Sequence, residues 1–566
     1  MSRPAIYSIF IFTLIFIGAF FLYPIIATVK QAFVTSDGRW TLSYLTEIVD
    51  NPLYREGLWN SLRMAVGSTV VSLLIALPLA LLASRFEFRG KMLLTSAILV
   101  PMILPPFVGA IGMSQMLSPY GAINAFLSHI GLISLNHPPD WLGSGRLAGV
   151  ILMNALHLYP IFYLNITAAL ANLDPAMEES AANLGCSPLR RFWRITLPLA
   201  MPGIFAGGVI VFIWAFTELG VPLMFQYSRV TSVQIFDGIK DMGGNPIPYA
   251  LVVVTLVLSV LMFLISKWVV GKTDYAASGR AATSAQLRRL TGGPAYACAA
   301  AFGLVAFVSL LPHLGVVLTA FSNDWYRTVL PASLTNQNIT DALGHPVTLP
   351  SIQNSLLYAS VATFIDVILG VAIAFIITRT KVRGRNLLDS VAMLPLAVPG
   401  LVMAFGYLAV TRDGQPLSFL MLGKHASPVL LLIIAYAMRR LPYIVRSAVA
   451  GFQQTSISLE EAAQNLGASP LRSLRKITLP LITANLVAGG LLAFSFAMME
   501  VSDSLVLAQR PEDYPITKAI YVLSGNLGNG ANLASALGTW AMIFLGVTLV
   551  GASMILGKRL GALFRT

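Results

Sequence analysis

Five ionisable side chains lie inside long apolar stretches of this chain: Glu218, Glu500, Asp503, Arg439 and Arg440. Asp366 is a sixth. Glu218 and Glu500 occupy equivalent places in a repeated sequence, 282 residues apart, and Asp503 follows Glu500 by one helical turn. The second repeat has Arg439-Arg440 where the first has His157-Leu158. Charge at membrane depth is costly and marks a solute path, a gate or a helix-to-helix pair. One reading has Glu218 and Glu500 lining a shared path at a pseudo-twofold axis, where they would meet a cationic or metal substrate. A second pairs Arg439 or Arg440 with Glu500, Asp503 or Asp366 as a structural bond. A third puts both glutamates at the wet outer ends of their spans. Covalent and metal catalysis have no comparable constellation. No G-x-x-x-x-G-K-[ST] loop occurs, since Gly271-Lys272-Thr273 lacks the upstream glycine. The two cysteines, Cys186 and Cys298, suggest no disulfide framework, and no His/Cys set has metal-ligand spacing. No catalytic residue and no metal ligand is assigned.

The elements that hold these charges are read from composition. Hydrophobic residues make up 56% of the 566-residue chain and charged residues only 11%, against about 25% charged in soluble domains. Twelve apolar stretches approach the roughly 20 residues that cross a bilayer as helix. They lie near 6–29, 61–84, 92–117, 147–171, 200–226 and 249–271, then 294–320, 355–378, 388–411, 427–450, 482–508 and 534–557. The expected fold is an all-α membrane protein of two parallel six-helix repeats. The halves are 1–271 and 294–566, joined by a small, polar, basic linker at 272–293. Asn60-Ser61-Leu62, Arg89-Gly90, Pro101 and Pro105 return 294 residues later as Asn354-Ser355-Leu356, Arg383-Gly384, Pro395 and Pro399. The prolines, with Pro106, are expected to break their helices. The smaller shift of 282 further on puts 12 surplus residues of the first half near 118–146, an outer loop with Tyr120, His129, His137 and Trp141.

The most repeated stretch is Glu178 to Ile204, which returns as Glu460 to Leu486 with 15 of 27 positions identical. Each copy reads as a short helix, a glycine stop at Gly185 or Gly467, and a second helix started by Ser187-Pro188 or Ser469-Pro470. Asp174-Pro175 is expected to start the first loop, 174–198. A capping box of Ser458 and Glu461 is expected to start the second, 456–480. Leu197-Pro198 and Leu479-Pro480 are expected to end the basic second helix.

Basic residues give the orientation. With the N-terminus inside, 23 of 37 Lys and Arg fall on internal segments and flanks and 12 on external ones. Both termini and both loops are then cytoplasmic. The net charge of +13 is explained by this bias rather than by nucleic-acid binding.

Glu461-Ala462-Ala463, Gly467 and Ile477-Thr478-Leu479-Pro480 resemble the EAA signature of ABC-importer permeases. Glu179-Ser180-Ala181, Gly185 and Ile195-Thr196-Leu197-Pro198 match it with Ser180 in place of the first alanine. The resemblance covers essentially the whole chain and implies the type I permease fold, with Glu179, Gly185, Glu461 and Gly467 on ATPase-coupling helices. The fused layout, with Thr217 to Leu223, is similar to ferric-iron and thiamine permeases. The implied partners are a cytoplasmic ATPase dimer, which holds the ATP and Mg, and a periplasmic or surface-tethered binding protein. Membrane lipid surrounds the chain in the inner (plasma) membrane, and no cofactor is bound by the chain itself. Ferric iron is the expected solute, with thiamine, polyamine, sulfate or phosphonate as alternatives. A secondary transporter with parallel six-plus-six repeats is the rival class.

Overall fold

The computed structural model describes all residues except 1–2, 36, 144–145, 172–174, 242–244, 272–286, 416, 424–425 and 557–566. Asp174, most of the expected linker and the basic C-terminal residues Lys558, Arg559 and Arg565 therefore lie outside the described residues. The described chain is helical with only two short strand pairs. One joins Phe86–Glu87 in parallel to Arg288–Arg289, so the described end of the 272–293 stretch is held rather than loose.

Among the described residues nine helices are long and apolar enough to cross a membrane, or eleven when two bent pairs each count as one span. The remaining expected span, 427–450, is the helix Val429–Gln454, which carries Arg439, Arg440 and Arg446 within its length. The bent pairs are Lys91–Met102 with Pro106–His129, at 95°, and Arg385–Leu396 with Gly400–Val410, at 100°. Each break falls on the repeated prolines. Pro105 and Pro399 take extended backbone directly before the second helix of each pair. A proline lacks the N–H that would continue the first helix and pushes the residue before it out of helical conformation.

Contacts divide the chain into two compact units. In one, made of Pro52–Gln234 and Val257–Ile339, the helices Pro52–Arg85, Leu147–Ala171 and Leu197–Phe216 form the central bundle. In the other, made of Met1–Asn51, Ile235–Leu256 and Thr340–Thr566, the equivalent helices Thr348–Arg379, Val429–Gln454 and Leu479–Met498 do the same. The bundles follow the sequence repeat, but the first span of each sequence half packs elsewhere. Gly293–Ala320 lies on Pro106–Leu117, and Tyr23–Phe33 lies on Gly400–Val410. Glycine permits both crossings. A β-carbon on Gly112 would stand 2.1 Å from the Pro312 carbonyl oxygen, and one on the matched Gly406 would stand 2.8 Å from Pro24 Cβ.

Candidate functional site: two surface loops and a buried charge cluster

The first loop begins with the helix Pro175–Asn183 and the second with Ile457–Asn465. Ser456, not Ser458, caps the second loop: its side chain accepts the Ser458 N–H, and Ser458 lies inside the helix. Two serines in range of one helix start compete for the cap, and the earlier one takes it. Both helices close in the same way. Cys186 N–H donates to the Ala181 carbonyl and Gly185 N–H to Ala182; Ala468 and Gly467 repeat this with Ala463 and Gln464. Gly185 has φ of 79° and Gly467 of 89°, the left-handed backbone this closure requires.

Ser187 and Ser469 then cap the next helices, accepting the Arg190 and Arg472 N–H groups. The Leu-Pro pairs do not end these helices, contrary to the sequence expectation. The chain passes through a five-residue π turn, Phe192–Thr196 or Leu474–Thr478, and runs on as Leu197–Phe216 or Leu479–Met498. Leu197 N–H reaches back to the Phe192 carbonyl. The wider turn carries Pro198, whose ring would crowd an α-helical carbonyl. The second helix of each loop therefore runs without a break into the span behind it, while the first helix is set off by the glycine closure.

Glu179 and Glu461 are exposed. The acid before each is the one engaged internally. Glu178 accepts Arg85 Nη2 at 2.6 Å and the Thr196 hydroxyl. Glu460 accepts Arg379 Nε at 2.9 Å, and Arg379 also donates to the Thr455 carbonyl at 2.8 Å and lies over the Phe452 ring. Arg85 and Arg379 are the last residues of the equivalent helices Pro52–Arg85 and Thr348–Arg379. Each loop is thus clamped to a bundle helix of its own unit. The first clamp is open, with side chains 35% and 27% exposed, while the second is closed at 7% and 11%.

The outer face of each loop is apolar at matched points. Leu184 is 88% exposed and Leu466 90%, and Met177 with Leu189 and Leu459 with Leu471 are exposed beside them. These six apolar side chains stand exposed in the same two triads, one on each loop. Sequence reasoning passed over these residues and the clamps. Their signal was present: Leu184, Leu189 and Glu178 recur at 282, and Arg85 recurs at 294.

The intramembrane charges separate into two cases. Leu197–Phe216 ends before Glu218 and Leu479–Met498 ends before Glu500, so the expected continuous spans 200–226 and 482–508 are broken. Glu218 Oε1 accepts the N–H groups of Gly220 at 2.9 Å and Val221 at 3.2 Å, at the head of the short helix Gly220–Met224. Glu500 occupies the equivalent place, ahead of Ser502–Leu507. Here the repeats diverge. Glu500 is buried and bridges Arg439 and Arg440, one carboxylate oxygen to each. Asp503 stands 3.6 Å from Arg439 Nη1. Arg439 lies over Gly400, where a β-carbon would meet Nη1 at 2.1 Å, so the broken helix makes room for the guanidinium. Asp366 is fully buried and outside these ion pairs. In the other unit His157, at the position of Arg439, accepts or donates through Nδ1 to the Pro101 carbonyl at 2.8 Å. Among the described residues no group of three or more His, Cys, Asp or Glu is placed to hold a metal ion.

Two segments, 72–275 and 366–562, match the family model described as a binding-protein-dependent transport system inner membrane component. Over 507 residues the chain is 28% identical to FbpB 1 of Haemophilus influenzae, provisionally named a ferric transport system permease protein; the match covers 86% of this chain and 76% of that one. It is 27% identical over 470 residues to the ferric transport system permease protein FbpB of Actinobacillus pleuropneumoniae, covering 81% of this chain and 64% of the relative. A crystal structure of a bacterial ABC transporter involved in alginate import aligns with 47% of this chain and 95% of that chain, at 19% identity and a TM-score of 0.40. The two FbpB relatives are transport permeases rather than enzymes. With both loops inside the matched segments, the chain belongs to the binding-protein-dependent transport system inner membrane components, as a fused two-half permease.

Proposed function

We propose that the chain is the permease of an ATP-driven importer that carries ferric iron into the cytoplasm by alternating access. The observation that supports it most is the repetition of the exposed Leu184 and Leu466 on loops whose second helices run into the bundle helices. Two equal docking points suit a dimer of cytoplasmic ATPase subunits, which hold the ATP and Mg. Closure of that dimer moves the loops, and the clamps at Arg85 and Arg379 pass the movement to the bundles. A binding protein delivers the solute on the opposite face. Both loops and both termini are cytoplasmic in this reading, in keeping with the distribution of Lys and Arg.

Iron as the solute rests on the names of the relatives. Within the path, Glu218 is the carboxylate assigned to the solute, at the break between Leu197–Phe216 and Gly220–Met224. Glu500, Asp503, Arg439 and Arg440 serve as the brace of the second half.

The test is uptake into proteoliposomes that contain this permease and its ATPase, with iron-loaded binding protein outside and ATP inside. ATP-dependent accumulation of labelled ferric iron supports the reading. Uptake driven by a proton gradient without ATP would make it a secondary transporter. ATP-dependent uptake of thiamine or a polyamine alone would remove iron and keep the class.

A further inference from the structure

In the unit of Pro52–Gln234 and Val257–Ile339, a cavity of about 600 Å³ opens at the end of the Pro52–Arg85 helix remote from Arg85. Its walls are Leu58, Leu62, Phe212, Phe216, Leu258 and Met262, and Arg55, Glu56 and Trp59 stand at its mouth. The volume falls within the range of small-molecule sites, about 300–1,000 Å³. The walls carry no charge. The mouth is basic: Glu56 is taken by Arg229 at 2.7 Å, while Arg63 lies over the Trp59 ring at 5.1 Å and Arg55 is exposed. Among the described residues Glu56 forms an ion pair with Arg229, and neither Arg55 nor Arg63 forms one.

The surroundings say what covers this cavity. Leu62, Val66, Val70 and Leu74 continue along the same helix as an exposed apolar stripe at four-residue spacing, and Leu261, Leu264 and Ile265 are exposed on the neighbouring helix. Such faces are covered by hydrocarbon. Trp and Arg at the rim are the side chains that settle at the headgroup level.

We propose that this cavity is a binding site for an anionic phospholipid. One acyl chain fills the space between Leu62, Phe216 and Met262, and Arg55 receives the phosphate of the headgroup. The site belongs to the leaflet opposite the two surface loops. Lined by Leu62, Phe216 and Met262, the site sets the lipid against three helices at once, so it steadies their packing. The proposal does not depend on the identity of the transported solute or on the ATPase.

Trp59 supplies the readout. The full chain is reconstituted in phosphatidylcholine vesicles with increasing fractions of brominated phosphatidylglycerol or brominated phosphatidylcholine. Quenching of Trp59 is taken as the difference between the wild-type chain and Trp59→Phe. Half-quenching is expected at a roughly fivefold lower mole fraction of the anionic lipid, the worth of one basic side chain at a membrane surface. Arg55→Gln, an exposed change, should bring the two curves together. Leu62→Phe with Met262→Phe, which fill the cavity, should weaken quenching by both lipids. Coincident curves in the wild-type chain would mean ordinary bilayer contact and overturn the site. Absence of quenching by either lipid would mean that protein, not lipid, covers the cavity. Selectivity that survives Arg55→Gln would overturn the headgroup assignment.

Discussion

Arg379 and Glu460 meet at 2.9 Å at the junction of a bundle helix and a surface loop, with both side chains nearly buried. The same pair in the other repeat, Arg85 and Glu178 at 2.6 Å, is about one-third exposed. Two loops that share 15 of 27 residues are thus fixed to their bundles with unequal firmness. Water screens the first pair and leaves it worth about 0.2–1 kcal/mol. Removing one partner of the buried pair leaves an uncompensated charge, at a cost of roughly 3–5 kcal/mol.

Arg379→Gln should therefore lower the thermal unfolding midpoint and the folded yield far more than Arg85→Gln. Unfolding of the purified chain in detergent, followed by intrinsic fluorescence, measures both. Equal shifts would show that burial does not set the strength of these clamps.

Glu500 and Glu218 should respond differently to the same change. Glu500→Gln leaves Arg439 and Arg440 facing a neutral amide and Asp503, so the amount of folded protein should fall. Glu218→Gln keeps an oxygen for the Gly220 and Val221 N–H groups, so folding should survive while uptake drops. Yield by size-exclusion chromatography and uptake in proteoliposomes separate the two. Normal uptake in a well-folded Glu218→Gln chain would take Glu218 out of the path.

Gly467 and Gly185 have open space where a β-carbon would stand, so only backbone strain opposes a side chain. Alanine at either should cost about 1–2 kcal/mol, and asparagine less, because its side chain tolerates the left-handed region. The order glycine, asparagine, alanine in unfolding midpoint tests this. An alanine variant as stable as wild type would mean that the loop closes by another route.

Cys186 is a built-in reporter of orientation. It lies in the turn after Gly185, while Cys298 is buried in a span. An impermeant maleimide should label Cys186 in intact cells only after permeabilisation. Labelling from outside would reverse the charge-based topology.

The repeat, the helix breaks and the glycine closures were legible because each rests on a residue with one strong local preference. Pro105 and Pro399 cannot continue a helix, and Gly185 and Gly467 suit a backbone that other residues resist. The continuity of the loops through Leu197-Pro198 was not legible. A π turn absorbs the proline, and nothing in the local pattern separates that from a helix end. The exchange of first spans and the Glu178 and Glu460 clamps depend on contacts distant in the chain. Glu179 and Glu461 drew attention through the EAA pattern, whereas the neighbouring acids make the bonds to the bundle. For the intramembrane charges, the sequence offered the pairing of Glu500 with Arg439 or Arg440 among other readings. Three-dimensional proximity was needed to select it.

In the proposed function the two loops are the docking points through which an ATPase drives the bundles. Leu184→Asp with Leu466→Asp places charge on the exposed apolar point of each loop without disturbing a packed contact. The direct measurement is recovery of the ATPase on the tagged permease after co-expression, with the unfolding midpoint as a control for folding. The wild-type permease should retain the ATPase, and the double variant should insert and fold but lose it, together with ATP-driven uptake. Undiminished ATPase recovery and uptake in the double variant would contradict it.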